Sequence, residues 1–249
     1  MSKLQRIFKS AYKHYKNRKN ERTPIQESEN NVHILSSYFT YDCIVEDPNI
    51  EQLILFNYPD GLQNWCWDKI IRVFTAMYPD PVHRMSPVDS VLIHIRNFKG
   101  VAYTVDGSRR GSKTIHISSD YISSIPTERR MKELDGVACH EMVHVFQYDG
   151  GHTVPHGLIE GMADFYRMRI GLGAQHWKPT IADKWDAGYE KTAYFLNWVD
   201  SQFLGAINQI NLHFKNNKWF DEDPFERYTG QTVNTLYQRY TSAHEGMHS

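Results

Sequence analysis

The chain has few cysteines and no long hydrophobic run among its 249 residues. Cys43, Cys66 and Cys139 are too few for the disulfide framework of a small secreted protein, although a single Cys43–Cys66 bridge remains an alternative. No stretch approaches the roughly eighteen uncharged apolar residues of a membrane-spanning helix. Residues 1–10 lack the apolar core of a secretory signal. These absences predict a cytoplasmic protein without a transmembrane segment.

The chain also has almost no net charge, because 28 basic residues face 29 acidic ones. We therefore expect no nucleic-acid partner, and we expect a monomer. Basic residues are concentrated at 1–22, where Leu4, Phe8, Ala11 and Tyr15 are spaced as on one face of a helix. This segment could dock to a membrane surface or to a partner protein. The alternative is a solvated, frayed terminus.

The overall composition is typical of a folded protein, with 41% hydrophobic and 13% aromatic residues. Neither an internal repeat nor a low-complexity segment divides the chain. We predict a basic N-terminal segment with a polar linker at 1–31, one folded domain at 32–242, and a flexible tail at 243–249.

Strand-like segments dominate the first half of this domain, together with one helix at 62–78. They read HILSSYFTY, EQLILFNYP, VLIHIRNF, GVAYTVDG and KTIHISSDYI. After Pro126 the apolar spacing becomes helical, and helices are predicted at 128–148, 155–170, 187–203, 204–216 and 230–242. Strands followed by helices predict an α+β fold.

Residues 140–144 read His-Glu-Met-Val-His, a spacing that suits a metal site on a helix. Positions i and i+4 of a helix lie about 40° apart around its axis and about 6 Å apart along it. His140 and His144 can therefore reach one zinc ion, with Glu141 beside it. We predict Zn²⁺ as the cofactor and Glu141 as the general base that takes a proton from a metal-activated water.

The same pattern occurs again as HEGMH at 244–248. That copy lies in the predicted tail, contains a glycine and leaves no room for a downstream ligand, so we interpret it as a chance match. In the string around His140, nearly all of the positions outside the motif residues are apolar, which predicts a buried helix. Polar groups inside such a helix cost free energy unless they are paired, and a metal ion would pair them. The alternative is a core helix whose histidines are satisfied by hydrogen bonds.

A catalytic zinc ion needs a third protein ligand. Glu160 and Asp164 lie four positions apart among apolar residues of the next predicted helix. We predict Glu160 as the third ligand and Asp164 as the acceptor that orients a zinc-bound histidine. The alternative is that both acids complement the helix dipole. His152 and His156 are rival ligands, whereas the three-histidine pattern HExxHxxGxxH does not fit this chain.

Six ordered strings in the chain match one known family. They are GVAYT at 100–104, IHISSDYI at 115–122, HEMVHVFQYDG at 140–150, GLIEGMADFYRMRIG at 157–171, WDAGYEKTAYFLNW at 185–198 and TGQTVNTLYQRY at 229–240. Together they resemble the basic secretory proteins of plants and their bacterial and fungal relatives, which are zincin-like peptidases. The resemblance covers about residues 32–242. It implies a zincin-like metallopeptidase fold: a twisted mixed sheet, an active-site helix and a helical C-terminal part.

The resemblance also implies roles for individual residues. His140, His144 and Glu160 would bind zinc, and Glu141 would be the base. The string IHISSDYI would form the edge strand along which an extended peptide lies. Tyr189 is our candidate donor to the developing oxyanion, and core packing of its ring is the alternative.

These observations favour a zinc endopeptidase that acts on peptides or proteins. An aminopeptidase remains an alternative, because residue spacing reveals no pocket for a terminal amine. A zincin-fold protein that binds partners without turnover is the second hypothesis. Typical plant members are basic and carry a secretory signal, so a secreted location is the alternative to the cytoplasm.

Overall fold

The computed structural model describes residue 35 and residues 38–79 and 88–245. This part of the chain forms four strands and nine helices, which confirms the α+β class. The elements in chain order are β1 (Thr40–Val45), α1 (Pro48–Asn57), α2 (Leu62–Met77), β2 (Ser90–Arg96), β3 (Ala102–Asp106), β4 (Ser112–Ser118), α3 (Ser119–Ser124), α4 (Thr127–Phe146), α5 (His156–Arg169), α6 (Tyr189–Gln202), α7 (Ala206–His213), α8 (Pro224–Thr229) and α9 (Val233–Glu245).

The four strands form one mixed sheet in the order β1-β2-β4-β3. β1, β2 and β4 are parallel, and β3 pairs antiparallel with β4. One face packs against the helices and is largely apolar, with Val91, Ile93 and Ile95 on β2 and Ile115 and Ile117 on β4 all buried. Intervening side chains on the other face are partly exposed, as expected for a strand period of two.

The prediction that IHISSDYI forms an edge strand is wrong. Its strand residues belong to β4, which is hydrogen-bonded on both sides, to β2 and to β3. The turn at 107–111 folds β3 back along β4, so β3 occupies the edge. The end of the string is helical instead: the Ser118 side chain accepts from the Tyr121 amide and begins α3.

The segment EQLILFNYP is helical rather than extended, contrary to the prediction. The Asp47 carboxylate accepts hydrogen bonds from the backbone amides of Asn49 and Ile50 at 2.8 and 3.4 Å, and Pro48 fits the first turn. Ile50 and Ile54, four residues apart, are buried on one side. Capping and this spacing outweigh the β propensity of the local composition.

The remaining helices follow the predicted pattern, with two additions. Helix α2 matches 62–78, and the five helices predicted after Pro126 correspond to α4, α5, α6, α7 and α9. The short helices α3 and α8 were not predicted, and α9 extends to Glu245. The basic segment and linker at 1–31 lie outside the described residues. Within the described helices, none is long and apolar enough to cross a bilayer.

Helix α4 is the central helix of the fold, and its second half is almost entirely buried. It packs against β3, β4, α2 and α5. All three cysteines are free, so the alternative of a Cys43–Cys66 bridge is wrong. Because α4 is held on several sides, residues along it have fixed positions relative to the sheet edge.

A buried lysine connects α2 to α4. The Lys69 ammonium lies 2.7 Å from Asp135 of α4 and 2.8 Å from Asp68, with only 1% of its side chain exposed. Burial opposes its protonation, but these carboxylates raise its pKa above the ordinary value. The Trp65 indole N–H also donates to Asp135 at 2.8 Å. Asp135 therefore holds two α2 side chains against α4.

We expect Asp135→Asn to lower the free energy of unfolding by about 1.5–3 kcal/mol, because a buried ammonium loses a charged hydrogen-bond partner. Urea denaturation of the purified variant measures this loss. The exposed Asp60 provides the matched control, and Asp60→Asn should change stability by less than about 0.5 kcal/mol. Equal stability of the two variants would contradict a stabilising role for the Lys69 contact.

Candidate functional site

The predicted site residues lie where α4 and α5 pack side by side in opposite directions. His140 of α4 is beside Asp164 and Glu160 of α5, and His144, one turn later on α4, is also beside Glu160. Gln147, which follows α4, reaches back to the start of α5. The i, i+4 spacing on each helix therefore places its polar side chains on the surface that faces the other helix.

Three potential ligand atoms form a compact triangle. His140 Nε2 lies 3.3 Å from His144 Nε2 and 3.2 Å from Glu160 Oε2, and the remaining side is 3.7 Å. Atoms about 2.0–2.1 Å from a tetrahedral zinc ion are about 3.3–3.4 Å from one another. The triangle thus fits three corners of a zinc tetrahedron. Within the described residues, it is the sole cluster of three potential ligands of this kind.

Both imidazoles are oriented by partners on their other nitrogen. His140 Nδ1 donates to Asp164 Oδ1 at 2.7 Å. His144 Nδ1 donates to Gln147 Oε1 at 3.0 Å, and the Gln147 amide in turn donates to the Ile159 carbonyl. With the protons on Nδ1, the two Nε2 lone pairs are available to a cation.

The same contacts shift two pKa values. Burial opposes protonation of His140, but hydrogen bonds to Asp164 and Glu160 raise its pKa to about 9. Burial would raise the pKa of Glu160, yet hydrogen bonds to His140 and His144 bring it well below the ordinary range. Glu160 is therefore ionised at neutral pH. A cation at this site would displace the His140 proton, so its binding would weaken at lower pH.

Glu141 lies next to this triangle and is held from the sheet. Its side chain is buried, and the Thr104 hydroxyl lies 2.7 Å from Glu141 Oε2 and 3.1 Å from the Glu141 carbonyl oxygen. Thr104 belongs to β3, the edge strand. The Glu141 carboxylate is therefore fixed between α4 and the sheet edge.

Tyr189 lies beside His140, at the start of α6. Its ring is stacked on the His140 ring with centroids 6.2 Å apart and planes at 13°. Half of the residue is exposed, so the alternative of core packing is wrong. Its backbone has a positive φ of 46°, which follows Gly188 at 90°. Strain of this kind in a non-glycine residue is concentrated at functional sites.

The rival histidines lie apart from the triangle. The side chains of His152 and His156 are 93% and 80% exposed, and His156 approaches only the outer oxygen of Glu160, at 3.6 Å. His244, from the second HExxH string, is buried at the end of α9, where its Nδ1 contacts the Tyr240 carbonyl at 2.9 Å. Residues 246–249 lie outside the described part of the chain.

A cavity of about 760 Å³ runs along α4 and contains the whole site. Residues 101–104 of the sheet edge line one side, and α5 lines the other. Gln147 lies toward one end, and Glu133, Arg167 and Trp177 lie toward the other. The cavity therefore leaves room on both sides of the triangle.

Sequence reasoning did not single out Thr104 or Gln147 as contacts of the site. The position of Gln147 three residues after His144 is a local signal, because the helix end turns its side chain back toward His144. Thr104 carries no such signal, because its contact with Glu141 spans 37 residues.

A comparison with protein families identifies the group to which these features belong. The model of a family described as peptidases of plants and bacteria, the BSP family, matches residues 60–240. The chain belongs to this family. All six predicted site residues lie within the matched region, and the predicted resemblance to plant basic secretory proteins is confirmed. No curated protein and no solved structure matches the chain.

Proposed function

We propose that this member of the BSP peptidase family is a zinc-dependent endopeptidase with a zincin-like fold. The observation that carries the proposal is the triangle of His140, His144 and Glu160, whose sides of 3.2–3.7 Å match a zinc tetrahedron. Three protein ligands leave a fourth corner open, which is typical of catalytic rather than structural zinc sites. The cavity gives a substrate access to that corner.

The contacts of each residue indicate its proposed role. His140, His144 and Glu160 would hold the ion, which supplies Lewis acidity and lowers the pKa of a water molecule. Asp164 orients His140. Glu141 would accept the proton of the attacking water and deliver it to the leaving amine.

Two residues outside the metal triangle complete the proposed mechanism. Thr104 holds the Glu141 carboxylate at 2.7 Å, which reduces the reorientation needed for proton transfer. Tyr189, stacked on His140, is the proposed donor to the oxyanion that forms at the cleaved carbonyl.

The substrate would lie as an extended peptide along the free edge of β3. Within the described residues this strand has a neighbour on one side only, and it lines the cavity next to Glu141. Backbone hydrogen bonds to an edge strand bind a peptide without regard to its side chains. The space on both sides of the triangle favours cleavage within a chain.

Metal analysis combined with a hydrolysis assay tests this function. We expect about one zinc per chain, loss of hydrolysis of an unfolded protein substrate after chelation, and recovery when zinc is restored. The double variant His140→Ala/His144→Ala should purify without zinc. The control is His94→Ala/His116→Ala on the outer sheet face, which should retain it. Bound zinc without hydrolysis of any substrate would contradict the proposal and support a binding protein without turnover.

A further inference from the structure

The cavity contains an ion pair that the proposed mechanism does not use. Arg167 Nη2 of α5 lies 3.1 Å from Glu133 Oε1 of α4. The side chains are only 7% and 18% exposed, yet both residues line the cavity. Two opposite charges at the wall of a substrate cleft are costly to bury unless their contacts are well formed.

Several contacts fix the orientation of the Arg167 guanidinium. Its Nε donates to the Leu172 carbonyl at 3.0 Å, and the Trp177 ring lies 4.8 Å away on one side. Gly136 lies on the other side, where a Cβ atom would come within 2.6 Å of Nη2. The planar group therefore occupies a slot that a larger residue at 136 would close, and its orientation is fixed before any ligand binds.

Each member of the pair retains one atom without a partner. Glu133 Oε1 accepts from Arg167 and from the Tyr121 hydroxyl, both at 3.1 Å, whereas Oε2 has no hydrogen bond in the described part of the chain. The same holds for Arg167 Nη1. Neither atom is among the buried polar atoms that lack a partner, so both reach solvent. A donor and an acceptor are thus available on two groups that are joined by a 3.1 Å contact and whose charges cancel.

The pair lines the same cavity as the metal triangle. Gly136, beneath the guanidinium, precedes His140 by one helical turn, which is about 6 Å along the axis. A long side chain beside the cleaved carbonyl spans that distance. A second cavity of about 150 Å³ adjoins this end and shares Tyr121 and Glu133 with the first, so there is room for such a side chain.

We propose that Tyr121, Glu133, Gly136, Arg167 and Trp177 form a carboxamide pocket, which selects glutamine next to the cleaved bond. This inference rests on the proposed peptidase function and names its substrate class. A carboxamide oxygen accepts from Arg167 Nη1, and its NH₂ group donates to Glu133 Oε2. Because the carboxamide is neutral, it leaves the ion pair intact.

Other side chains satisfy the pocket less well. A glutamate side chain is repelled by Glu133, and a lysine side chain is repelled by Arg167. An apolar side chain covers both open atoms without bonding to them, which costs free energy for each. From the strength of hydrogen bonds to charged groups, we expect discrimination of about 10- to 100-fold.

A set of peptides identical except at the residues flanking the cleaved bond tests the pocket. We expect kcat/KM to be about 10-fold or more higher with glutamine than with glutamate, leucine or lysine on one side of the bond. Glu133→Gln leaves Arg167 with an unopposed charge and should reverse the order of glutamine and glutamate. The control Glu226→Gln, at an exposed site on α8, should leave the order unchanged.

Binding measured without turnover separates this inference from the proposed function. Calorimetry with zinc-loaded Glu141→Gln protein gives peptide affinities, which should follow the same order. Equal rates and equal affinities for all four side chains would overturn the pocket and leave the peptidase function standing. Preference for glutamate, lysine or leucine in the unmodified protein would also overturn it, whether or not the Glu133 variant folds. If the unmodified protein hydrolysed none of the peptides, while the Glu141→Gln protein still bound the glutamine peptide most tightly, the peptidase function alone would be overturned.

Discussion

Replacement of Glu141 by glutamine should lower peptide hydrolysis by about 100- to 10 000-fold and leave bound zinc unchanged. Glutamine has nearly the same shape as glutamate and can still accept the hydrogen bond from Thr104, but it cannot take up a proton. The metal triangle does not include residue 141, so its three donors remain in place. Steady-state kinetics and metal analysis of the same preparation measure both quantities.

Glu226→Gln is the matched control for this variant. Glu226 lies on α8, its side chain is exposed, and it lines neither of the two cavities. Its hydrolysis rate should remain within a factor of about two of the original, because exposed substitutions of this kind have small effects. A Glu141→Gln protein that retains full activity with one zinc per chain would rule out Glu141 as the base.

Replacement of Glu160 by glutamine should weaken zinc binding by at least about 100-fold, which exceeds the loss usual for a residue that only orients a ligand. Glu160 Oε2 lies 3.2 Å from His140 Nε2 and 3.7 Å from His144 Nε2, and it is the sole anionic corner of the triangle. A neutral carboxamide in the same place is a much poorer zinc ligand. Competition with a chromogenic chelator gives the dissociation constant.

His156→Ala distinguishes Glu160 from the rival ligand nearest to it. His156 is exposed and touches the outer oxygen of Glu160, so its removal should leave zinc affinity within a factor of about three. If Glu160→Gln retained zinc and His156→Ala lost it, the third ligand would be His156 rather than Glu160.

Apolar spacing predicted most of the helices, but it failed for the elements that depend on a helix cap or on the pairing of strands. Apolar residues at helical spacing revealed α2 and α4 within a few residues of their bounds. The string EQLILFNYP has the composition of a strand, yet the Asp47 cap and Pro48 begin a helix there. The edge of the sheet was misassigned because strand order depends on which strands meet, and no spacing within β4 records that β3 covers its second side.

The candidate site shows the same division. The spacing of His140 and His144 and of Glu160 and Asp164 was sufficient to name them, because i and i+4 positions share a helix face in any fold. The contacts that Thr104 and Gln147 make with the site, and the nearby ion pair, were not predicted. Thr104 meets Glu141 across 37 positions, and the pair formed by Arg167 with Glu133 spans 34.

The sequence by itself determined the class of fold, the family and the four helix positions that face one another as His140, His144, Glu160 and Asp164. These follow from the fixed geometry of the helix and from strings that the family shares. Only the tertiary structure decided that α4 and α5 pack in opposite directions, which closes the triangle to 3.2–3.7 Å and places Glu133 beside Arg167. Contacts between helices depend on how complete surfaces pack, and the spacing within one helix carries no record of its neighbour.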